Sequence, residues 1–319
     1  MDFNDTTVLV TGGAGFIGSH LVEHLLARGA RVRVLDDFST GRRENLAPWR
    51  ERIDLHEASV TDPEACARAC AGVHYVLHQA ALPSVARSVA DPLPTHAVSA
   101  TGTLNVLHAA HGAGVRRFVY AGSSSAYGDT PTLPKREDMA SNPRSPYAVA
   151  KLAGEHYAQV FPKLFGLETV VLRYFNVFGP RQDPHSPYSA VIPLFIDRAL
   201  QGKAPVINGD GGQTRDFTYV DNVVDANFRA CFAPADGVVG EVFNVGCGER
   251  ISVVRLWEEI RAILGVELDA EAGPPRPGDV RDSLADLTRI RQRLGYEVRV
   301  PLDEGLRRTA AWLQSLATA

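Results

Sequence analysis

The chain has 319 residues, of which 45% are hydrophobic and 22% charged, and its formal net charge at pH 7 is −4. This composition is typical of a globular protein with a sizeable core, and the weak negative charge without basic blocks predicts no nucleic-acid partner. The sequence shows no N-terminal signal pattern and no apolar run near the ~18 residues of a membrane span, so we expect a cytoplasmic protein with no membrane partner.

A short apolar strand near the N-terminus runs into a glycine-rich turn. Residues 8–10 precede T-G-G-A-G-F-I-G, with glycines at 12, 13, 15 and 18, and an amphipathic helix follows. Such a turn directs bare backbone N–H groups and a helix dipole at one point, where a pyrophosphate binds. A second predicted strand, 31–35, ends in Asp36, where a carboxylate binds adenosine ribose hydroxyls and disfavours a 2′-phosphate. The pattern predicts a site for NAD.

Strand and helix patterns then alternate. Predicted strands at 53–60, 74–79, 117–121 and 168–175 are interleaved with predicted helices at 63–70, 95–112 and 147–165. This order predicts an α/β fold with a Rossmann-like, doubly wound parallel sheet, whose ligands bind beyond the carboxyl ends of the strands. Cys66 and Cys70 share one helix without a partnering His or Cys pair, so we expect reduced thiols and no metal site.

After about residue 180 the alternation loosens. Proline and glycine become frequent, as at 184–187, 209–212 and 273–278, and no internal repeat is visible. This predicts a smaller substrate lobe interleaved with the sheet. We assign 1–180 to an NAD-binding Rossmann domain, to which some later segments return, and 181–319 mainly to the substrate-binding lobe. A last helix at 302–316 is predicted to have a packing role.

Three kinds of polar residue fall where this fold places its chemistry. Ser123 and Ser124 follow a predicted strand, and Tyr147 precedes Lys151 by four residues on the next helix. Residues at this spacing share a helix face, and an ammonium beside a phenol lowers the phenol pKa from ~10. Such a tyrosine accepts a proton from a hydroxyl while hydride leaves the same carbon, and a serine positions that oxygen. Tyr-x-x-x-Lys alone is also typical of a capped surface helix.

A set of motifs along the chain resembles one enzyme family. The motifs are T-G-G-A-G-F-I-G, D-D-F-S-T-G, H-Q-A-A, S-S-S-A-Y-G-D, S-P-Y-A-V-A-K, L-R-Y-F-N-V-F-G-P-R, R-D-F-T-Y-V-D-N and R-P-G-D-V. Over essentially its whole length the chain resembles the extended short-chain dehydrogenase/reductases, and within them the UDP-hexose 4-epimerases. Y-F-N-V-F-G-P-R-Q-D-P and I-N-G-D-G are most similar to the UDP-N-acetylglucosamine 4-epimerase branch.

The resemblance implies an activity and an assembly. The implied reaction is NAD-dependent 4-epimerisation of a UDP-hexose, by oxidation at C4 to a 4-keto sugar and return of hydride to the opposite face. The implied assembly is a homodimer, with segments 95–112 and 147–165 as its faces.

The resemblance also implies roles for individual residues. Tyr147 is the implied catalytic base, Lys151 its pKa partner and a nicotinamide-ribose ligand, and Ser123 the hydroxyl of the triad, with Ser124 as the substitute in another register. Asp62 is the implied adenine contact, although Ser59 replaces the usual acidic residue nearby. The predicted cofactor-binding residues, beside Tyr147 and Lys151, are Gly12, Gly15, Phe16, Ile17, Gly18, Asp36, Asp37, Ser39, Thr40, Gly41, Val60, Asp62, Gln79, Ala80, Ala81 and Tyr174, with Asn105 packed behind them.

Substrate contacts are implied in the same way. Asn176, Arg215 and Arg276 resemble pyrophosphate donors, Val191 and Val206 flank the uracil, and Asp279 accepts from its ribose. Ser283 stands where the family gates the C2 substituent, and its small side chain predicts room for an N-acetyl group, so that UDP-GlcNAc/UDP-GalNAc, UDP-Glc/UDP-Gal or both are accepted. The predicted substrate-binding residues are Ser84, Ser125, Asn176, Ala190, Val191, Val206, Asn208, Arg215, Arg276, Asp279 and Ser283.

Related functions stay open as alternatives. Sugar-nucleotide 4,6-dehydratases carry an Asp-Glu pair where this chain has Ser124 and Ser125, and UDP-glucuronate decarboxylases usually carry a Glu at the second position. Dehydration and decarboxylation are therefore disfavoured, whereas UDP-glucuronate 4-epimerisation is not. A non-catalytic NAD- or nucleotide-sensing module is the alternative outside enzymes, and such modules usually lose the Tyr or the Lys, both present here.

Overall fold

The computed structural model describes residues 1–185, 190–274 and 280–317. Thirteen strands are present in these ranges. In chain order they are β1 (Thr7–Thr11), β2 (Arg31–Asp36), β3 (Ile53–Glu57), β4 (Tyr75–His78), β5 (Arg117–Ser123), β6 (Glu168–Tyr174), β7 (Val177–Phe178), β8 (Val206–Asn208), β9 (Thr214–Arg215), β10 (Thr218–Tyr219), β11 (Val242–Val245), β12 (Ile251–Ser252) and β13 (Glu271–Gly273).

A seven-stranded sheet in the order β11-β6-β5-β4-β1-β2-β3 forms the centre of the molecule, and its paired strands are all parallel. The apolar runs seen in the sequence are its strands, because a sheet covered on both faces buries consecutive side chains. β1 pairs with β2 on one side and with β4 on the other, so the winding direction reverses between β1 and β4. Ligands bind at such a switch point in open α/β sheets.

Helices cover both faces of this sheet. The helices, in chain order, are α1 (Phe16–Leu26), α2 (Pro63–Cys70), α3 (Val85–Ala90), α4 (Pro92–His96), α5 (Thr103–Gly112), α6 (Pro146–Phe165), α7 (Val191–Leu200), α8 (Val220–Phe232), α9 (Val253–Leu264), α10 (Thr288–Leu294) and α11 (Leu302–Ala317). None of the helices in the described part of the chain combines the length and apolar character needed to cross a bilayer.

Three hydrophobic clusters hold these layers together. The first packs α1, α8 and α10 on one face of the sheet, with Leu21 and Phe228 fully buried. The second packs α2, α5 and α6 on the other face, around Phe118. The third joins α7, α9 and α11 around Leu256 and forms the C-terminal lobe. The predicted α/β fold is therefore confirmed. Although α8 and β11 come from the later part of the chain, they belong to the sheet layers, and the domain division at residue 180 stays a prediction.

Two predicted elements differ from the structure. The strand predicted at 53–60 ends at Glu57, because the chain turns there: the Asp62 N–H donates to the Ser59 carbonyl at 3.1 Å. The helix predicted over 95–112 is interrupted by a π-helical stretch, Ala97–Gly102, between α4 and α5. Gly102 in this stretch packs tightly, since a Cβ there would lie 2.6 Å from a Val60 methyl group.

Candidate active site

A cavity of about 750 Å³ lies beyond the carboxyl ends of the sheet strands, at the β1–β4 switch point. Its wall brings together most of the predicted cofactor residues, although they are distant in sequence. The predicted residues on the wall are Gly12, Gly15, Phe16, Ile17, Gly18, Asp36, Asp37, Ser39, Thr40, Gly41, Val60, Gln79, Ala80, Ala81, Ser84, Tyr147, Lys151, Tyr174 and Ala190.

The glycine turn between β1 and α1 forms the floor of the cavity. Gly12 has a φ of +67°, and a Cβ there would lie 2.8 Å from the backbone of Ala80 on the neighbouring strand end. A Cβ at Gly18 would overlap the Gly12 carbonyl oxygen and lie 2.8 Å from the Gly13 Cα. Gly15 is the N-cap of α1, and the first turn of that helix carries no acidic residue. Its backbone N–H groups and dipole therefore suit an anion.

Asp36 ends β2 at the edge of the cavity. Its carboxylate accepts hydrogen bonds from the backbone N–H groups of Ala14 and Phe38, each at 2.8 Å. Burial raises the pKa of this carboxyl, and the two N–H donors oppose that shift. The two donors fix the carboxylate on the cavity wall next to the glycine turn, so it can accept from ribose hydroxyls.

Tyr147 and Lys151 lie one turn apart near the start of α6 and both line the cavity. The helix starts here because the Ser145 hydroxyl accepts from the Ala148 N–H at 3.2 Å and Pro146 occupies the first turn. The Lys151 side chain is buried, and its Nζ lies 4.6 Å from the centroid of the Tyr120 ring. Burial lowers the pKa of Lys151 to about 7.

The sequence predicted that Lys151, with help from the positive charge of NAD, lowers the pKa of Tyr147, and this effect in the NAD-bound protein stays a prediction. Burial raises the Tyr147 pKa, and a hydrogen bond with Ser123 opposes that shift. The physical reason is that burial penalises the phenolate and the ammonium alike, so each group favours its neutral form. A charged phenolate here therefore requires further positive charge in the cavity.

Of the adjacent serines, Ser123 is the one whose hydroxyl interacts with Tyr147. Ser123 is the last residue of β5, and its Oγ lies 2.8 Å from the Ser125 Oγ and accepts from the Ser125 N–H at 3.2 Å. Ser124 begins a short 3-10 turn, and neither Ser123 nor Ser124 lines the cavity itself. The geometry favours the first of the two predicted registers.

The comparisons with known proteins agree with this geometry. A family profile described as "NAD dependent epimerase/dehydratase family" matches residues 8–246. The chain belongs to this family. A UDP-glucose 4-epimerase of Mycolicibacterium smegmatis is 42% identical over 311 residues, which are 96% of this chain and 98% of that protein.

Two solved structures are similar over nearly the whole chain. A UDP-glucose 4-epimerase of Thermotoga maritima, determined with UDP-glucose, has a TM-score of 0.93 at 38% identity and covers 98% of this chain and 100% of that one. A UDP-N-acetylglucosamine 4-epimerase from Methanobrevibacter ruminantium, in complex with UDP-N-acetylmuramic acid, has a TM-score of 0.93 at 38% identity, with 98% and 99% covered.

NAD is the cofactor of this family member, and the cavity residues fit it. Gly12 and Gly18 leave no space for side chains at the α1 N-terminus, where the pyrophosphate would be held. Asp36 presents its carboxylate where the adenosine ribose would bind, and that charge favours NAD over NADP.

Other predicted residues lie away from the cavity wall. Asp62 is the N-cap of α2, and its carboxylate accepts from the N–H groups of Glu64 and Ala65. Asn105 donates to the Val60 carbonyl at 3.1 Å, behind the wall as expected. Their ligand roles, and those of the residues that follow, stay predictions. Also off the wall are Ser123, Ser124, Ser125, Asn176, Val191, Val206, Asn208, Arg215 and Ser283, while Arg276 and Asp279 lie outside the described residues.

The segment after β7 contributes wall residues that the sequence analysis did not select: Arg181, Gln182, Asp183 and His185. Asp183 forms an ion pair at 2.6 Å with Arg42, which follows β2 on the wall. The F-G-P-R-Q-D-P motif could have indicated these wall residues, because it directly follows a strand. In the sequence analysis this motif supported only the family resemblance.

Asn227 of α8 is another residue near the site that the sequence analysis did not select. Its Nδ2 donates to the Tyr174 hydroxyl at 2.8 Å, and the Gln79 Nε2 donates to the same oxygen at 3.1 Å. Burial raises the pKa of Tyr174 to about 12, so it is a neutral phenol held in place by two amides. Its aromatic ring is therefore fixed on the cavity wall.

One cluster in the described ranges has the spacing of metal ligands: His20, His24 and Asp221, with ligand atoms within 4.8 Å of one another. Both His20 ring nitrogens are already engaged, Nε2 with the Pro180 carbonyl at 3.0 Å and Nδ1 with Arg181 at 2.7 Å. Burial and the Arg181 charge lower the His20 pKa to about 3. The cluster therefore anchors the turn that carries Arg181 and has no free His20 lone pair for a metal.

Proposed function

We propose that UDP-GlcNAc and UDP-GalNAc, alone or together with UDP-Glc and UDP-Gal, are the substrates of this NAD-dependent UDP-sugar 4-epimerase. The observation that carries the proposed reaction is the placement of Tyr147 and Lys151 on the cavity wall together with the glycine turn, where a hydrogen bond with Ser123 lowers the pKa of Tyr147 against the effect of burial. The reaction would oxidise C4 to a ketone and reduce it from the opposite face.

Each group has a separate role in the proposed reaction. NAD, when bound, supplies the hydride acceptor and a positive charge. Tyr147 takes the proton of the C4 hydroxyl and later returns it, and Ser123 orients the same oxygen by hydrogen bonding. Lys151 stabilises the phenolate form of Tyr147 through its charge. Because no residue in the positions of Ser124 and Ser125 is acidic, the chain lacks the pair that would eliminate water from the keto sugar.

The preference for an N-acetylated hexose rests on Ser283. Its side chain is small and buried, and its backbone N–H donates to the Thr214 carbonyl at 3.1 Å, which ties this segment to β9. A small residue leaves space for the C2 N-acetyl group, whereas a tyrosine would fill it. The similar structures named above include one UDP-glucose and one UDP-N-acetylglucosamine 4-epimerase, which supports testing both sugar pairs.

The experiment is a panel of UDP-sugars, incubated with the purified protein and separated by chromatography, for the wild type and Tyr147→Phe. We expect the wild type to interconvert the two C4 epimers, and Tyr147→Phe to lose roughly 10²–10⁴-fold in kcat while NAD stays bound by absorbance. Tyr157→Phe is the matched control, since Tyr157 lies on the same helix but is exposed.

The alternatives appear as other outcomes of this panel. Turnover confined to UDP-glucuronate would replace the proposed substrate, and a keto-deoxy product would indicate dehydration. Bound NAD without turnover of any UDP-sugar would support the sensing module. Near-normal rates in Tyr147→Phe would remove Tyr147 from the role of base.

We also propose a homodimer in which α6 packs against a second copy. Exposed apolar side chains concentrate on α3, α4 and α6, and such patches mark interfaces. The patch differs from the predicted faces in that α3 and α4 contribute more of it than α5. The exposed residues are Val85, Val89, Leu93, Val149, Tyr157, Val160, Leu164 and Phe165.

Sedimentation of Leu164→Lys tests the dimer. Leu164 is 70% exposed in the single chain, and a lysine there would place a charge in the interface, so we expect a shift to monomer. Leu316→Lys on α11 is the control, because Leu316 is also exposed but lies outside the patch. A wild-type protein that sediments as a monomer would contradict the proposal.

A further inference from the structure

A buried ion pair lies next to the catalytic pair and is not used in the chemistry above. α6 carries Tyr147, Lys151 and Glu155 at successive four-residue steps, so the three share one helix face. Glu155 pairs with Arg173 of β6, with Nε–Oε2 at 2.9 Å and Nη2–Oε1 at 2.5 Å. The side chains are 2% and 4% exposed.

Burial of the Glu155–Arg173 ion pair has a large desolvation cost and is therefore an inefficient way to stabilise the fold. Removing two charges from water costs several kcal/mol per ion, and a well-packed apolar pair of similar volume is often as stable or more stable. One Arg173 nitrogen, Nη1, is buried without a hydrogen-bond partner. The guanidinium carbon lies 4.6 Å from the centroid of the Tyr127 ring. Stability alone therefore does not account for the pair.

Lys151 supplies a functional reason. Its side chain is buried, and within the described ranges no carboxylate forms an ion pair with it. Burial lowers the Lys151 pKa to about 7, and the Glu155 carboxylate, one turn further along the helix, is the group that raises it. Without Glu155 the lysine would lose its proton more readily, and the phenolate of Tyr147 would lose its counter-charge.

The other titratable groups around Lys151 do not replace Glu155. His78 of β4 has a pKa lowered to about 3 by burial and by Lys151, so it is neutral, and Tyr120 of β5 has a pKa raised well above its usual range. Arg87 of α3 lines the same cavity and is a cation. The titratable residues of α4 and α5, which also pack against α6, are exposed to solvent: His96, His108 and His111.

We propose that Glu155, fixed in place by its ion pair with Arg173, is a positioning residue that keeps Lys151 in its ammonium form at neutral pH, so that Tyr147 can act as the base. The proposal deepens the proposed function and rests on it. Arg173 has a separate role, because its two hydrogen bonds to the Glu155 carboxylate compensate for the loss of water around that charge. The structure thus contains a charge series of Lys151, Glu155 and Arg173 that alternates in sign.

The pH profile of kcat tests this proposal. Activity needs the Lys151 ammonium, which is present below the lysine pKa and lost as pH rises through it. Glu155→Gln removes the carboxylate charge, so we expect the alkaline limb to move to lower pH by about one unit. The double variant Glu155→Gln/Arg173→Met removes both charges and should move the limb part of the way back. Arg173→Lys keeps the charge and should leave the limb unchanged.

A second readout is independent of turnover. Acetic anhydride labels only the unprotonated amine, so mass spectrometry of Lys151 labelling against pH reports its protonation directly. We expect the labelling midpoint to fall by about one unit in Glu155→Gln. If that variant does not fold, Glu155→Asp, whose carboxylate is one methylene shorter, should give a smaller shift in the same direction. This measurement stands even if no UDP-sugar is turned over, so the two proposals can fail separately.

Glu168→Gln is the matched control. Glu168 forms an ion pair with Arg117. These two residues begin β6 and β5, at the ends of the strands opposite to Tyr174 and Ser123. We expect this variant to lower the melting temperature without moving either the alkaline limb or the labelling midpoint. The proposal is overturned if Glu155→Gln and Glu155→Asp lose activity at all pH values alike with an unchanged Lys151 midpoint, or if Glu168→Gln shifts both readouts equally.

Discussion

The sheet half and the C-terminal lobe place their predicted ligand residues differently. In the sheet half, the glycine turn, Asp36, Tyr147 and Lys151 meet on one cavity wall. In the lobe, Val206, Asn208 and Arg215 lie on short strand pairs, β8–β13 and β9–β12, away from that wall. The hydrogen bonds of a continuous parallel sheet align successive strand ends, whereas each two-stranded pair is positioned by separate tertiary contacts.

Asp216 shows what holds the lobe to the sheet. Its carboxylate accepts from the N–H groups of Cys247, Gly248 and Ala285 at 2.8, 3.0 and 3.1 Å, so one side chain joins three segments. Burial raises the pKa of this carboxyl to about 6, and the three donors oppose that shift. The sheet half is held together by the repeated backbone hydrogen bonds of its parallel strands. The segments around Asp216 in the lobe are held together by the hydrogen bonds to one buried carboxylate.

The largest effect is expected from Gly18→Ala in the sheet half. The added Cβ would overlap the Gly12 carbonyl oxygen, and neither backbone segment can move without disturbing the switch point. We expect roughly 3 kcal/mol of destabilisation and loss of NAD binding by calorimetry. Gly112→Ala is the control, since a Cβ there meets no atom within 4 Å and should leave both properties unchanged or slightly improved. Normal NAD affinity in Gly18→Ala would show that the turn does not hold the pyrophosphate.

Asp216→Asn should weaken the lobe and leave the sheet half intact. The amide has one acceptor oxygen for three N–H donors, so we expect about 1–3 kcal/mol of destabilisation, with NAD affinity unchanged and UDP-sugar affinity reduced. Equal losses of NAD and sugar affinity would remove the distinction between the two regions.

The same residue predicts a pH dependence of stability. The folded pKa of about 6 lies above the ordinary 3.8 of this carboxyl, so the folded state binds the proton more tightly than the unfolded state. The stability contributed by protonation is complete below the unfolded pKa and is lost as pH rises through 6. Denaturant unfolding between pH 4 and 7 should show this loss of stability with rising pH in the wild type but not in Asp216→Asn. Identical pH profiles of the two proteins would show that Asp216 is not the group responsible.

Asp36→Ala tests the carboxylate at the edge of the cavity. The variant leaves the Ala14 and Phe38 N–H groups without their acceptor and removes the ribose ligand, so we expect NAD affinity to fall by about 10-fold, or ~1.5 kcal/mol. Discrimination against NADP should fall as well, because the repelling charge is gone. Asp138→Ala, at an exposed ion pair, should change neither affinity.

The most selective effect is expected from Ser283→Tyr. The larger side chain should suppress turnover of UDP-GlcNAc and UDP-GalNAc more than that of UDP-Glc and UDP-Gal, by about 1–3 kcal/mol in discrimination, with NAD affinity unchanged. Ser283→Ala keeps the small volume and should preserve the wild-type ratio of kcat/KM values. Equal loss on both sugar pairs would end the argument that this position gates the C2 substituent.

The sequence could predict the strand–turn–helix at the N-terminus and most strands of the sheet, because each is encoded locally by apolar runs, glycines and caps. It could also predict that Tyr147 and Lys151 share a helix face. It could not predict the break at Ala97–Gly102, which depends on packing against distant segments, and the F-G-P-R-Q-D-P motif alone did not show that Arg181, Gln182 and Asp183 reach the cavity wall. The lobe residues of the substrate site stay predictions for the same reason.

The amino-acid order alone determined the doubly wound sheet, the nucleotide turn and the helix that carries Tyr147 and Lys151, since periodicity and turn chemistry act over a few residues. Only the tertiary structure decided the electrostatics of the site. Burial raises the Tyr147 pKa and lowers that of Lys151. The Glu155 carboxylate, which is paired with Arg173, opposes the shift at Lys151. Desolvation depends on everything packed around a side chain, and no local stretch of sequence contains that information.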